Sequence, residues 1–257
     1  MPAPALRIQA VVRHAHVALR RSAPFRLPRP ARPVLDGVSL AVAPGECVGL
    51  AGVNGAGKTT LLKCILDFVT PQAGSIAVFG VDHRQPAARA PLAYLPERFL
   101  PPSYMTGGEF LRYTLALHGQ PHDERACAAM LAALQLAPEA LAMSVRRYSK
   151  GMTQKLGLAA ILLLDKQLYL LDEPASGLDP QARALFRQAL RRRRERGTAV
   201  LMTSHALADL DEMCDRMAIL HDGAIRFDGS PAECRRHYGS DGLEQAFLAA
   251  IAAPGAA

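Results

Sequence analysis

Residues 52–60 read Gly-Val-Asn-Gly-Ala-Gly-Lys-Thr-Thr, and their types and spacing imply phosphate chemistry. Gly52, Gly57, Lys58 and Thr59 satisfy the pattern G-x-x-x-x-G-K-[ST], with Asn54, Gly55 and Ala56 completing the loop. Glycines let such a loop curl until several backbone N–H groups converge on phosphate oxygens. Lys58 is then expected to reach the outer phosphates and Thr59 to hold Mg²⁺. The apolar stretch Cys47–Leu50 before the loop and Leu61–Leu66 after it supply a strand and a helix. That helix adds its N-terminal partial charge to the phosphate site.

A phosphate loop is shared by kinases, GTPases, helicases and transport motors, so three later segments have to narrow the choice. Leu168-Tyr169-Leu170-Leu171-Asp172-Glu173-Pro174 is an apolar strand ending in two adjacent carboxylates. At the C-terminal edge of a parallel sheet, such residues face the ligand crevice. Asp172 suits the Mg²⁺ shell and Glu173 suits polarisation of an attacking water. Met202-Thr203-Ser204-His205 places a histidine just past another strand, expected to neighbour the acidic one and to bring His205 to the terminal phosphate. Tyr148-Ser149-Lys150-Gly151-Met152 opens a long helix, with Ser149 as a natural N-cap. A second helix N-terminus suited to phosphate has no task in one nucleotide site, unless it serves a nucleotide held by another subunit.

The elements that position these residues follow from periodicity and turn chemistry. Strands are expected around 6–42, interrupted by a Pro/Arg segment at 24–33, with a turn at Pro44-Gly45 leading into the strand before the loop. From about Arg98 to Leu164 the character becomes helical. Thr106 and Glu109 form a capping-box spacing, another helix covers 123–136, and an amphipathic helix runs from Lys150 to Leu164. Strand and helix then alternate: strands at 167–171, 198–203 and 217–221, helices at 181–196 and 206–214. An amphipathic helix at 243–251 is expected to pack on the core. The fold class is therefore α/β: a P-loop NTPase core with an N-terminal antiparallel β subdomain and an inserted all-helical subdomain. One domain is expected over 1–257: a core with β subdomain from 1–97 and 165–232, the helical subdomain at 98–164, and a C-terminal helical tail at 233–257.

Composition excludes several other classes. Half of the 257 residues are hydrophobic, which argues against disorder. The longest apolar run, Leu156–Leu164, is far too short to span a bilayer, and Arg7 and Arg13 interrupt the apolar N-terminal stretch. A soluble intracellular chain is expected. Five scattered cysteines suit reduced thiols rather than a zinc site. The net charge of +7 favours an anionic partner, but no tryptophan and no aromatic–basic interleaving supports nucleic acid. The basic run Arg191–Arg196 reads as a solvated helix end.

Taken together, the motifs resemble the ATP-binding subunit of an ABC transporter over nearly the whole chain. GVNGAGKTT resembles the Walker A motif, LYLLDEP the Walker B, YSKGM the signature, SGLDP (176–180) the D-loop and TSH the switch histidine. The resemblance implies a head-to-tail pair of ATP-binding subunits, identical or paired, sandwiching two ATP molecules with Mg²⁺. It also implies an integral membrane permease as partner, a peripheral place on the cytoplasmic side of the cell membrane, and no nucleic acid. It makes Glu173 the catalytic base and His205 the γ-phosphate sensor. Thr60 falls to the α-phosphate, Asp172 to the metal and Asp179 to communication across the pair, while Ser149 and Gly151 contact the partner's ATP. Two departures stand out. Glu97 occupies the place of the Q-loop glutamine, where it can still ligate Mg²⁺, and Lys150 and Met152 replace Gly and Gln in the signature. Both variants favour export. Phe25 is the upstream aromatic for the adenine, with an ordinary loop phenylalanine as the competing reading. A P-loop kinase, or a soluble ATPase of the same family uncoupled from transport, is the alternative function.

Overall fold

The computed structural model describes residues 3–15 and 33–253. In chain order it runs β1 (Leu6–His14), β2 (Pro33–Val42), β3 (Cys47–Ala51), α1 (Lys58–Ile65), β4 (Ala73–Val78), β5 (Val81–Asp82), α2 (Pro86–Arg89) and β6 (Leu92–Leu95). Helices α3 (Gly107–Leu117), α4 (Glu124–Ala133) and α5 (Lys150–Leu163) follow, with two 3₁₀ turns between α4 and α5. The chain continues through β7 (Leu168–Asp172), α6 (Pro180–Arg194), β8 (Ala199–Ser204), α7 (Leu207–Met213), β9 (Arg216–His221), β10 (Ala224–Gly229), α8 (Pro231–His237) and α9 (Leu243–Ala252).

Two sheets organise these elements among the described residues. The smaller is antiparallel where its pairing is resolved, in the order β2-β1-β4-β5. The larger has the order β10-β9-β3-β8-β7-β6, parallel except for β10. Strands β3, β7 and β8 are buried at every residue, as a sheet covered on both faces requires. Their alternation sorts side chains between two layers. Val48, Leu50, Leu168, Leu170 and Leu201 pack with the small sheet and α1. Cys47, Ala51, Tyr169, Leu171 and Met202 pack toward the helices on the opposite face.

The strand neighbourhood that matters for chemistry follows the expectation. β7 lies parallel beside β8 with Asp172 opposite Thr203, and β8 lies beside β3, so the acids, His205 and the phosphate loop end at one sheet edge. Gly49 in β3 holds this edge together: a Cβ there would sit 2.7 Å from Leu210 Cδ2 and 2.8 Å from Cys214 Sγ. Helix α7 can therefore lie directly on the strand that feeds the loop.

Several local expectations are corrected. The helical region opens at Gly107 rather than Arg98, because the capping box fixes its start: Thr106 Oγ1 accepts from Glu109 N at 3.2 Å and Glu109 Oε2 from Thr106 N at 2.8 Å. Helix α4 stops at Ala133, three residues short of 136, and Gln135 turns left-handed with φ +51°. Helix α5 is not one-sided. Leu156 to Leu162 are buried without a break, since the helix is enclosed by α3, α4, α6 and β6. Strand β4 pairs with the free edge of β1, a place that its small residues Ala73-Gly74-Ser75 did not announce. The basic run ends α6 with Arg191, Arg192 and Arg196 exposed, as a solvated helix end requires, while Arg193 pairs with Asp165 and Arg194 with Asp215.

Candidate nucleotide-binding site

The phosphate loop closes because its glycines occupy places that no side chain could. A Cβ on Gly52 would stand 2.6 Å from Leu220 O, while Gly57 has φ +110° and its Cβ would stand 2.7 Å from Val34 O. No side chain caps α1, so the first N–H groups of the helix remain available at the loop. Lys58 is 8 % exposed, and its ammonium donates to Gly52 O at 2.6 Å and Val53 O at 3.3 Å. The cation is thus held inside the loop by neutral carbonyls, which leaves its charge uncompensated by any acid within ion-pair distance among the described residues.

The acidic strand meets this loop directly. Thr59 Oγ1 donates to Asp172 Oδ2 at 2.9 Å. Thr203 Oγ1 donates to the other oxygen, Asp172 Oδ1, at 2.6 Å and accepts from Glu173 N at 3.0 Å. Asp172 and Thr203 are fully enclosed, so both carboxylate oxygens have a fixed partner. Glu173 then leaves the strand with φ +52°, a left-handed conformation that is uncommon outside glycine. The turn is held by Ser176 N donating to Glu173 O at 3.1 Å. Its carboxylate meets His205: Oε2 lies 2.7 Å from the ring Nδ1 and 3.3 Å from the backbone N of His205. The ring and the backbone N–H of His205 thus converge on one carboxylate oxygen. The His205 side chain is 65 % exposed and the Glu173 side chain 10 %, so the pair sits at the mouth of the cleft.

One cleft of 680 Å³ gathers Gly52 to Thr60, Glu97, Asp172, Glu173 and His205, together with Phe247 from α9. Thr59 and Asp172 offer oxygen donors suited to Mg²⁺, and Glu97 lines the same cleft. No group of three or more His, Cys, Asp or Glu able to hold a metal occurs among the described residues. Magnesium fits this arrangement, because it takes one or two carboxylates and completes its octahedron with phosphate oxygens and water.

Other expected site residues lie elsewhere. Ser149 caps α5, its Oγ accepting from Met152 N at 3.2 Å. Asp179 caps α6, its Oδ1 accepting from Ala182 N at 2.8 Å, and its Oδ2 stands 3.4 Å from Lys155 Nζ. That backbone hydrogen bond, reinforced by the Lys155 charge, holds the Asp179 carboxyl below the usual carboxylate range. These two helix starts adjoin each other, since a Cβ on Gly151 would be 3.3 Å from Gly177 O. None of Ser149, Gly151 or Asp179 lines the phosphate cleft. Phe25 lies outside the described residues.

Sequence reasoning missed the bridge made by Thr203 and the place of Phe247 in the cleft lining. A threonine in a buried strand reads as a β-former, and only its register opposite Asp172 shows the bridge. Thr203→Val keeps the shape and removes the hydroxyl from both partners. Denaturant melts are expected to show a loss of about 1–3 kcal/mol, because a buried carboxylate oxygen loses its donor. An unchanged midpoint would count against the bridge.

A family profile described as ABC transporter matches residues 35–176, more than half of the chain. The chain belongs to the ABC transporter family. Within this ABC protein the matched segment contains the phosphate loop, Glu97, Ser149, Asp172 and Glu173, and ends before His205 and Phe247. An uncharacterized ABC transporter ATP-binding protein of Synechocystis is 40 % identical over 204 residues, 77 % of this chain and 57 % of the relative. Nod factor export ATP-binding protein I of Burkholderia pseudomallei is 36 % identical over 201 residues, 77 % of this chain and 66 % of the relative. The match thus spans less than two thirds of the length of these curated relatives. Among solved structures, the ATP-binding subunit of an ABC transporter superposes with a TM-score of 0.81 at 28 % identity, covering 95 % of this chain and 98 % of that one.

Proposed function

We propose that this chain is the ATP-hydrolysing motor subunit of an ABC transporter, working as a pair of copies that enclose two ATP molecules between them. One observation carries this reading: the chain holds a phosphate loop with its acids in one cleft, and a second exposed helix start at Ser149 that lies outside that cleft. Facing copies complete each other. Ser149 and the backbone of Gly151 from one copy meet the ATP held by Lys58, Thr59 and Thr60 of the other, and Asp179 lies at the same junction.

In the closed pair, Lys58 transfers its donors from the Gly52 and Val53 carbonyls to the outer phosphates. Glu173 orients an attacking water in line with the γ-phosphate, and His205 holds the carboxylate in place from its other side. Thr59 and Asp172, with Glu97 nearby, are the residues that would hold Mg²⁺, whose charge neutralises the phosphates during transfer.

A membrane permease is the partner that fits the surface between the core and the helical insertion. A groove there is lined by Phe68, Tyr94, Phe99 and Phe110, with Phe68 itself 68 % exposed. Leu100 and Tyr104, in the segment leading into α3, are 86 % and 80 % exposed. Clustered large apolar side chains at a surface mark an interaction site. No helix among the described residues is long and apolar enough to cross a membrane, so the permease is a separate chain or segment. The names of the export relatives support export as the direction, and a peripheral position at the cytoplasmic face follows from a motor that consumes ATP.

Ser149→Arg tests the composite site. It is expected to bind ATP as the unaltered chain does in calorimetry, yet to release phosphate about a hundredfold more slowly, the scale of one lost transition-state donor. Undiminished phosphate release would remove the signature helix from the reaction.

A further inference from the structure

The cleft around the phosphate loop has one lining residue from the C-terminal helix, Phe247. Helix α9 presents Leu243, Ala246, Phe247 and Ala250 at the i, i+3, i+4, i+7 spacing of a core-facing stripe. Leu243, Ala246 and Ala250 are buried, as that stripe requires. Phe247 is only half-buried, although its ring also packs on the core cluster. The difference is that its position on the stripe opens onto the cleft. An aromatic ring on a helix's inner face, left half-uncovered by a cleft, is a contact waiting for a ligand surface.

The topology gives the ring a side. Strand β3 delivers the phosphate loop between β8 and β9. The acids and His205 come from the β7–β8 side, whereas α9 packs on β9, β10, α7 and α8. Phe247 therefore reaches the cleft from the β9–β10 side of the sheet, and Asp172 and Glu173 reach it from β7. Helix α7, against which α9 rests, begins just after His205.

We propose that Phe247 is a nucleotide-contacting residue, through which docking of the C-terminal helix and occupation of the phosphate cleft by a nucleoside triphosphate stabilise each other. This rests on the reading of the cleft as an ATP site. The bound nucleotide covers the exposed part of the ring, and by linkage a firmly docked α9 tightens nucleotide binding by the same factor. The helix thereby becomes a handle on the site that lies outside the family profile's match.

The chain contains no tryptophan, so Phe247→Trp gives the full-length protein a single tryptophan, excited at wavelengths too long for its six tyrosines. Titrated with MgATP, its emission is expected to shift with a half-saturation equal to the calorimetric dissociation constant. Leu248→Trp, on the 59 % exposed face of the same helix, is expected to stay silent. Phe247→Ala is expected to weaken MgATP binding roughly two- to tenfold, the range that aromatic contacts carry. A wild-type chain that binds no MgATP would overturn the nucleotide reading and this inference with it. Normal binding by the wild type, a silent Phe247→Trp and wild-type affinity in Phe247→Ala would overturn this inference alone. A Phe247→Ala protein that only melts earlier, with affinity intact, would likewise reduce the ring to a core staple.

Discussion

Glu173→Gln is expected to bind ATP with the affinity of the unaltered chain and to hydrolyse it at least about a hundredfold more slowly, the lower bound for loss of a positioned general base. The geometry singles out this carboxylate over its neighbour. Both oxygens of Asp172 are already engaged, one by Thr59 and one by Thr203, deep in the sheet edge. Among the described residues the Glu173 carboxylate is met only by His205, at the mouth of the cleft. Its left-handed φ aims the side chain there and lifts it out of the strand's alternation. A Gln side chain keeps the size and still accepts from His205 N, so the fold and the binding site survive while the basic oxygen is lost. Single-turnover phosphate release measured beside calorimetric ATP binding separates the two effects. Normal turnover in this variant would remove Glu173 as the base.

Lys58→Ala is expected to lose ATP affinity by about one to two orders of magnitude, the cost of a charge-assisted hydrogen bond to phosphate. In the structure the ammonium is buried and satisfied by the loop's own Gly52 and Val53 carbonyls. Those contacts are neutral, so a phosphate oxygen outcompetes them once bound. Removing the cation also relieves the loop of a buried charge, and the variant is expected to melt no earlier than the unaltered chain. Calorimetry gives the affinity and a thermal melt the stability. Unchanged affinity would mean that the loop amides alone bind the phosphates.

Much of this site was legible in the sequence because backbone geometry dictated residue types. Gly52 and Gly57 stand where Leu220 O and Val34 O leave no room for a Cβ, so the motif's spacing reports a real loop. The adjacency of β7 and β8 was legible for a different reason: a strand, a helix and another strand in succession form a parallel crossover that brings consecutive strands together. Thr106 and Ser149 cap the helices they precede, as expected, because each offers an oxygen to free N–H groups of the first turn, whereas Asp123, expected as the first helical residue, turns out to be a cap as well.

What escaped depends on tertiary context. Thr203 bridges Asp172 and Glu173 only through strand register, which no local pattern encodes. Phe247 sits in a stripe that reads as ordinary core, and the cleft beside it is assembled by strands far away in sequence. Helix α5 looked one-sided because Lys150 and Lys155 colour its first turns, while the enclosure of its second half comes from three other helices and a strand. Ser149 starts its helix outside the phosphate cleft, so the two helix starts suited to phosphate do not meet within one copy.

Light scattering of Glu173→Gln with and without MgATP tests the proposed pairing of copies most directly, since slow hydrolysis lets the closed pair accumulate. The account predicts a shift from the 27.6 kDa of one chain to twice that mass on adding MgATP, reversed when Ser149→Arg is introduced into the same background. A protein that binds MgATP by calorimetry yet keeps the mass of a single chain would contradict it.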